Sequence, residues 1–180
     1  PESGRIIRGV LLKSGSVCSR IQSGRGQHLV VGCGNGALHT VAPESGNIIR
    51  TADMNSGAVL SLACARNGLD FVAGCENGSL HIMASTSGAI VRTVRLRIGR
   101  VLALLIAPGG KELVAGGLTY GAGKQLHLLE PETGVTIRSI PLDSDEAPIN
   151  LEWQAIAYDF CRFNPYLEQP CAFGTNPKPK

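Results

Sequence analysis

Residues 72–94 read VAGCENGSLHIMASTSGAIVRTV, and residues 30–52, which begin 42 positions earlier, read VVGCGNGALHTVAPESGNIIRTA. Two copies this similar indicate an internal repeat, and an internal repeat changes how every other residue is weighed. A glycine that ends a turn, followed four residues later by an arginine, marks each copy. The pair occurs four times in the chain, as Gly4 with Arg8, Gly46 with Arg50, Gly88 with Arg92 and Gly134 with Arg138.

The last repeat is longer than the others. Successive turn glycines are 42, 42 and 46 residues apart, so four residues have been added in the final interval. The additional residues lie in a glycine-rich stretch, residues 117–125, with the sequence GLTYGAGKQ. The spacing predicts a loop insertion in a hairpin of that repeat.

Composition limits the classes of protein that this chain can represent. Of its 180 residues, 43% are hydrophobic, which is typical of a globular domain and too apolar for a disordered one. No apolar run approaches the roughly 20 residues of a membrane helix, and the first residues lack the pattern of a signal peptide. The net charge of +3 is too small to indicate nucleic acid. Six cysteines without a CxxC pair are typical of reduced, partly buried thiols in a cytosolic protein.

The apolar pattern within each repeat is typical of β-strands. In the second copy, residues 58–63, 71–74, 79–83 and 89–94 are short, aliphatic or β-branched, and bounded by turn residues. The Asn-Gly pairs at 35–36 and 77–78 favour two-residue hairpins in which both residues adopt positive φ. Because helical periodicity is absent, we predict four antiparallel strands in each repeat and an all-β fold.

Four short antiparallel strands every 40–45 residues or so are typical of the blades of a β-propeller. Residues 58–94 resemble a WD40 repeat, with strands and turns in the order of that family, and the resemblance extends over residues 1–144. The repeats are degenerate. The Trp-Asp dipeptide of the family is replaced by Val41-Ala42, Met83-Ala84 and Leu129-Glu130. A quinoprotein-like or other propeller is the alternative.

The repeat boundaries predict about three complete blades, with partial blades at both ends. We expect the last strand of a preceding blade in residues 1–15, blades in residues 16–57, 58–99 and 100–144, and a partial blade and tail in residues 145–180. Because closed propellers contain four to eight blades, we expect these residues to be an excerpt of a longer chain.

Residues 158–165, YDFCRFNP, followed by CAFG at 171–174, resemble a hairpin in the large tandem-propeller proteins of cilia and microtubules. The resemblance implies a cytoplasmic protein of the cilium or cytoskeleton. It also implies tubulin or axonemal proteins as partners.

We predict no catalytic, cofactor-binding or metal-binding residues. Three histidines, His39, His81 and His127, occupy one position in successive repeats, and equivalent positions in neighbouring blades radiate around an axis without converging on a metal. The glycine-rich stretch fails as a phosphate loop because Leu118 stands where a glycine is required and Gln125 replaces the Ser or Thr.

The candidate partner-binding residues are charged residues, or a tyrosine, near predicted loops. Arg95 and Arg97 alternate with Leu96 and Ile98, which predicts one basic and one apolar face of a strand. This basic face is either the solvated outside of a blade or a rim that docks an acidic protein surface. The full set comprises Arg92, Arg95, Arg97, Arg100, Tyr120, Lys124, Asp143, Asp145 and Glu146.

Two functional classes remain open. A non-enzymatic scaffold would bind other proteins within a multi-subunit complex. An enzymatic propeller, of the quinoprotein or hydrolase type, would need polar or metal-binding side chains on the strands that line its central channel. The predicted first strands, including residues 59–62 and 101–105, are almost wholly apolar. We therefore predict a scaffold that is not an enzyme and binds no small-molecule substrate, membrane or nucleic acid.

Overall fold

The computed structural model describes residues 9–22, 27–64, 70–107, 112–119 and 123–142. The first sheet contains β1 (Val17–Gln22), β2 (Leu29–Cys33), β3 (Ala37–Val41) and β4 (Ile48–Asp53). The second contains β5 (Val59–Cys64), β6 (Asp70–Cys75), β7 (Ser79–Ala84) and β8 (Ile90–Arg95). The third contains β9 (Arg100–Ile106), β10 (Leu113–Thr119), β11 (Gly123–Leu129) and β12 (Thr136–Leu142).

Each sheet is an antiparallel meander, with its strands side by side in chain order. The first strands of the three sheets lie beside one another, since β1 contacts β5 and β5 contacts β9. The predicted fold class is therefore confirmed: the structure is all-β, without a helix in the described ranges, and consistent with a segment of a β-propeller. Nor do those ranges contain a helix long and apolar enough to cross a membrane.

The Asn-Gly hairpins differ from the two-residue turns that the sequence predicts. Gly36 and Gly78 have φ values of +90° and +84°, whereas the asparagines before them do not have positive φ. Each loop contains three residues, and the amide of Gly36 donates to the carbonyl oxygen of Cys33 at 3.1 Å. The Asn35 side chain instead accepts a hydrogen bond from the Ala37 amide at 3.0 Å. The asparagine therefore closes the turn through its side chain, and only the glycine needs left-handed backbone.

The insertion in the third repeat, which the sequence predicts to be a loop, mainly extends two strands. In the second sheet, pairing between β6 and β7 ends at Gly74 opposite Leu80. In the third sheet, pairing between β10 and β11 continues past the equivalent pair, through Gly117 opposite Gln125 to Thr119 opposite Gly123. Thus the added residues lengthen both strands of a hairpin, whose residues 120–122 lie outside the described ranges.

The hydrophobic core lies between successive sheets. One cluster joins the first and second sheets, and it includes Val30, Leu38, Val59, Leu62 and Met83. A second cluster joins the second and third sheets, and it includes Val72, Leu80, Leu96, Val101, Leu104 and Leu129. Because each sheet buries its faces against its neighbours, the sheets stabilise one another.

Two junctions between sheets have the same construction. Ser19 Oγ donates to the carbonyl oxygen of Val59 at 2.8 Å, and Ser61 Oγ donates to that of Val101 at 2.9 Å. Each valine packs against a glycine of the preceding sheet, Val59 against Gly32 and Val101 against Gly74. A Cβ on either glycine would collide with the valine and with the serine. The repeat places Ala103 at the serine position of the third sheet, so that sheet lacks the hydroxyl.

Of the four cysteines in the described ranges, Cys18 and Cys64 are partly buried, as the sequence predicts, and the other two are more buried. Cys33 and Cys75, at one repeat position, are fully buried free thiols. Burial raises the pKa of Cys75 to about 12, so the thiol is protonated at neutral pH.

Candidate partner-binding surfaces

Among the predicted rim arginines, Arg92 and Arg100 contact other parts of the chain through their side chains. Nη1 of Arg92, on β8, donates to the carbonyl oxygen of Thr133 at 3.1 Å, in the turn between β11 and β12. Arg100, the first residue of β9, forms an ion pair with Glu76, with 2.9 Å between Nη2 and Oε1. Both arginines therefore join the second sheet to the third. The ion pair is half exposed, so it contributes at most about 1 kcal/mol to stability.

Arg95 and Arg97 have different backbone environments. Arg95 is the last residue of β8 and is exposed, whereas Arg97 lies in the connection to β9, outside any strand. The predicted alternation still holds in exposure, because Leu96 and Ile98 are buried and both arginines are exposed. Arg95 is therefore the rim arginine that the structure presents at the end of an outer strand.

Among the remaining candidates, the structure describes Lys124, and it does not place this residue in an exposed loop. Lys124 lies within β11 and is only 6% exposed, so its ammonium is not available on a partner-facing loop. The error has a physical reason: the insertion extends the strands, and Lys124 pairs with Leu118. Tyr120, Asp143, Asp145 and Glu146 lie outside the described residues.

Sequence reasoning missed a hydrogen-bond network around the repeated histidines. His81 is buried, with Nε2 2.9 Å from Ser56 Oγ and Nδ1 2.9 Å from Thr93 Oγ1. His39 has the same contacts. Its Nε2 lies 2.8 Å from Ser14 Oγ, and its Nδ1 lies 2.8 Å from Thr51 Oγ1. Burial lowers the pKa of His39 and His81, so both imidazoles are neutral at neutral pH. Each network connects the third strand of a sheet to its fourth strand and to the segment before its first.

The third copy of this network is incomplete. His127 Nδ1 lies 2.9 Å from Ser139 Oγ, but its buried Nε2 has no hydrogen-bond partner within the part of the chain that the structure describes. The repeat explains the difference. The segments that precede the first strands of the three sheets align as Leu12-Lys13-Ser14-Gly15, Met54-Asn55-Ser56-Gly57 and Leu96-Arg97-Ile98-Gly99. An isoleucine therefore stands where the first two copies have a serine. Alignment of these three tetrapeptides is the signal that could have revealed the network.

The complete and incomplete networks should respond differently to mutation. We expect Ser56→Ala to lower the free energy of unfolding by about 1–3 kcal/mol, because it leaves a buried imidazole nitrogen unpaired. We expect His127→Leu to change it by less than about 1 kcal/mol, since that substitution removes an unpaired buried nitrogen and a bond to Ser139, whose exposed hydroxyl can bind water instead. Urea unfolding followed by circular dichroism measures both variants. Equal losses of unfolding free energy in the two variants would contradict a complete network at His81 and an incomplete one at His127.

The histidines and cysteines do not assemble into a metal centre in the described ranges, where no group of three or more potential ligands occurs. The three histidines instead belong to three separate sets of contacts. Their arrangement is that of structural residues repeated once in each sheet.

A row of exposed apolar side chains is the other feature that sequence reasoning missed. Ile49, Val91 and Ile137 lie on the outermost strands β4, β8 and β12, and are 50%, 65% and 59% exposed. Each directly precedes the arginine of its repeat. We call these three residues the outer apolar row. Large exposed apolar side chains at equivalent positions of three sheets are a candidate interaction surface.

The sequence matches no protein-family model. It also matches no curated protein. The structure is similar to hydrazine synthase from Kuenenia stuttgartiensis, with a TM-score of 0.65 and 15% sequence identity, over 69% of this chain and 36% of that chain. This chain thus spans 36% of the length of that neighbour. Matching chains in solved structures number 1186, and a fold this common does not by itself indicate a function.

Proposed function

We propose that the chain is a segment of a propeller scaffold that binds other proteins through the outer strands of its blades. The observation that carries this proposal is the outer apolar row, in which a large apolar side chain is exposed at one position of three successive sheets. Burying these side chains against a partner would remove apolar surface from water.

The strands that carry the row also suit partner binding. β4, β8 and β12 are the last strands of their sheets, so one edge of each has no neighbouring strand in its sheet. A free edge can pair with an extended segment of another protein, whose side chains then cover the neighbouring apolar residue. The exposed guanidinium of Arg95, at the end of β8, would favour a partner with acidic residues near that segment.

A narrower proposal concerns family and location. On the sequence resemblance given above, we propose a degenerate WD40-like propeller within a multi-subunit cytoplasmic assembly, with tubulin or axonemal proteins of the cilium as partners. The motif that favours cilia lies in residues 158–174, outside the described residues. The narrower proposal therefore rests on sequence alone.

The alternative is an enzymatic propeller, and the structural neighbour is named as a synthase. At 15% identity that similarity supports a common fold and no common activity. Buried apolar residues such as Val59, Val101 and Ala103 on the first strands favour packing over a polar channel. We therefore propose a protein that is not an enzyme.

The test compares three variants of the tagged protein by affinity capture from cells and mass spectrometry. We expect Val91→Lys and Ile137→Lys each to reduce recovery of specific partners about tenfold, which corresponds to about 1.4 kcal/mol of binding free energy. Thr136→Lys is the matched control, because Thr136 is exposed beside Ile137 on β12 and its polar side chain is not part of the outer apolar row. It should leave recovery unchanged.

Thermal unfolding of each variant separates lost binding from lost folding. All three substituted positions are exposed, so we expect unfolding free energies within about 0.5 kcal/mol of the wild type. Unchanged recovery with both Val91→Lys and Ile137→Lys would overturn the outer apolar row as the binding surface.

A further inference from the structure

Successive sheets are joined at their outer edges by an arginine that reaches forward to the next sheet. Nη2 of Arg50, on β4, donates to the carbonyl oxygen of Thr86 at 3.2 Å. Thr86 lies in the turn between β7 and β8. Arg92 makes a similar contact with the carbonyl oxygen of Thr133, one residue further along the corresponding turn, between β11 and β12. The first sheet is thereby attached to the second, and the second to the third, by an arginine that donates to a backbone carbonyl of the corresponding turn.

The receiving turns share a specific shape. Gly88 and Gly134 end them with positive φ, and the amide of each glycine donates to the carbonyl four residues earlier, at 2.7 Å. A Cβ at Gly88 would collide with the side chain of Arg50, and one at Gly134 would collide with Val94. The glycines therefore permit the positive φ of these turns and leave room for side chains of the preceding sheet.

Arg138 occupies the same place on the third sheet. It lies on β12 opposite Leu128, as Arg50 lies opposite Thr40 and Arg92 opposite Ile82. A register shift lies next to each of these three pairs, so the three arginines occupy the same kind of position in their sheets. The Arg138 side chain is exposed, and no hydrogen bond or ion pair of it occurs in the described structure.

We propose that Arg138 is the docking residue for a further blade. Its guanidinium would donate to a backbone carbonyl in a glycine-ended turn, between the third and fourth strands of a four-stranded sheet packed beside the third. The proposal extends an interface that occurs twice in this structure. A guanidinium has five donors and no acceptor, which suits it to the carbonyl oxygens of such a turn.

This proposal is independent of the outer apolar row. Arg138 is proposed to donate a hydrogen bond to a backbone carbonyl, whereas the exposed side chain of Ile137 is apolar and belongs to the outer apolar row. The two proposals therefore depend on different side chains and can fail separately.

Site-specific photo-cross-linking in cells that express the protein tests the proposal. A benzophenone amino acid replaces Arg138 in one variant and Arg92 in a second, and the cross-linked peptides are identified by mass spectrometry. The probe at position 92 should react with residues 131–134. We expect the probe at 138 to react in comparable yield with a glycine-ended turn of a blade other than the three described.

The same probe at Ile49, the equivalent position on β4 of the first sheet, is the control, and it should not give that product. A cross-link from position 138 to any other kind of segment would overturn the proposal. So would a cross-link to the turn at residues 43–46, which already belongs to the first sheet, or the absence of a cross-link.

Discussion

Gly78→Ala is expected to lower the free energy of unfolding by about 3 kcal/mol or more. Two costs combine at this residue. Its φ of +84° lies in the left-handed region, where a Cβ costs about 1–2 kcal/mol. A Cβ would also collide with the carbonyl oxygen of Ile98. Because that oxygen belongs to the backbone, it cannot move aside as a side chain would.

Gly123→Ala is the matched control for this prediction. Gly123 has a φ of +73°, close to that of Gly78, but a Cβ there would have no atom within 4 Å. Only the conformational cost should remain, so we expect a loss of about 1–2 kcal/mol. Urea unfolding followed by circular dichroism measures both variants in the same buffer.

The difference between these two variants measures the contact between the second and third sheets. Gly78 belongs to the turn between β6 and β7, whereas Ile98 precedes β9. Equal losses for Gly78→Ala and Gly123→Ala would contradict the close approach of that turn to the third sheet.

The fold could be predicted from the sequence because repeated local signals specify it. Short apolar runs separated by Asn-Gly and Ser-Gly turns identify the strands, and neighbouring strands in the chain pair with each other. The structure confirms the four-stranded sheets on that basis. The exact turn type could not be predicted, because Asn35 and Asn77 act through their side chains rather than through positive φ.

The environment of the candidate site residues depends on contacts far apart in sequence. Arg92 binds a carbonyl 41 residues away, and a repeat pattern shows that an arginine recurs without showing what it meets. The histidine networks could not be predicted either, because both faces of β7 are buried, with Leu80 on one face and His81 on the other. Alternation of apolar and polar residues predicts that the polar face of a strand is solvated. It therefore does not reveal a polar face that is buried in a hydrogen-bond network.

Differences between the copies carry the information about function. Arg50 and Arg92 are both used between sheets, which removes them from a partner-binding surface and leaves Arg95 and the outer apolar row exposed. The third sheet departs further, with Ile98 and Ala103 in place of two serines. Because Ala103 lacks the serine hydroxyl that bonds to the next sheet, the further blade that we propose would depend more on the outer edge, where Arg138 lies.

Leu80→Ala is expected to lower the free energy of unfolding by about 2–5 kcal/mol, because it leaves a cavity in a packed core. Leu80 is 1% exposed on β7, in the cluster shared by the second and third sheets. Val91→Ala is the control in the same sheet. Val91 is largely exposed, so its truncation should change stability by less than about 0.5 kcal/mol. Thermal and urea unfolding provide the comparison.

Two buried thiols show how far the effect of Leu80→Ala extends. Cys33 in the first sheet and Cys75 in the second are fully buried, so each reacts with a thiol reagent only when its own sheet opens. Mass spectrometry of labelled peptides separates the two sites. Because neighbouring sheets share their cores, we expect both cysteines to become reactive together as the variant unfolds. Labelling of Cys75 while Cys33 stays protected would contradict cooperative stability and would mean that each blade unfolds by itself.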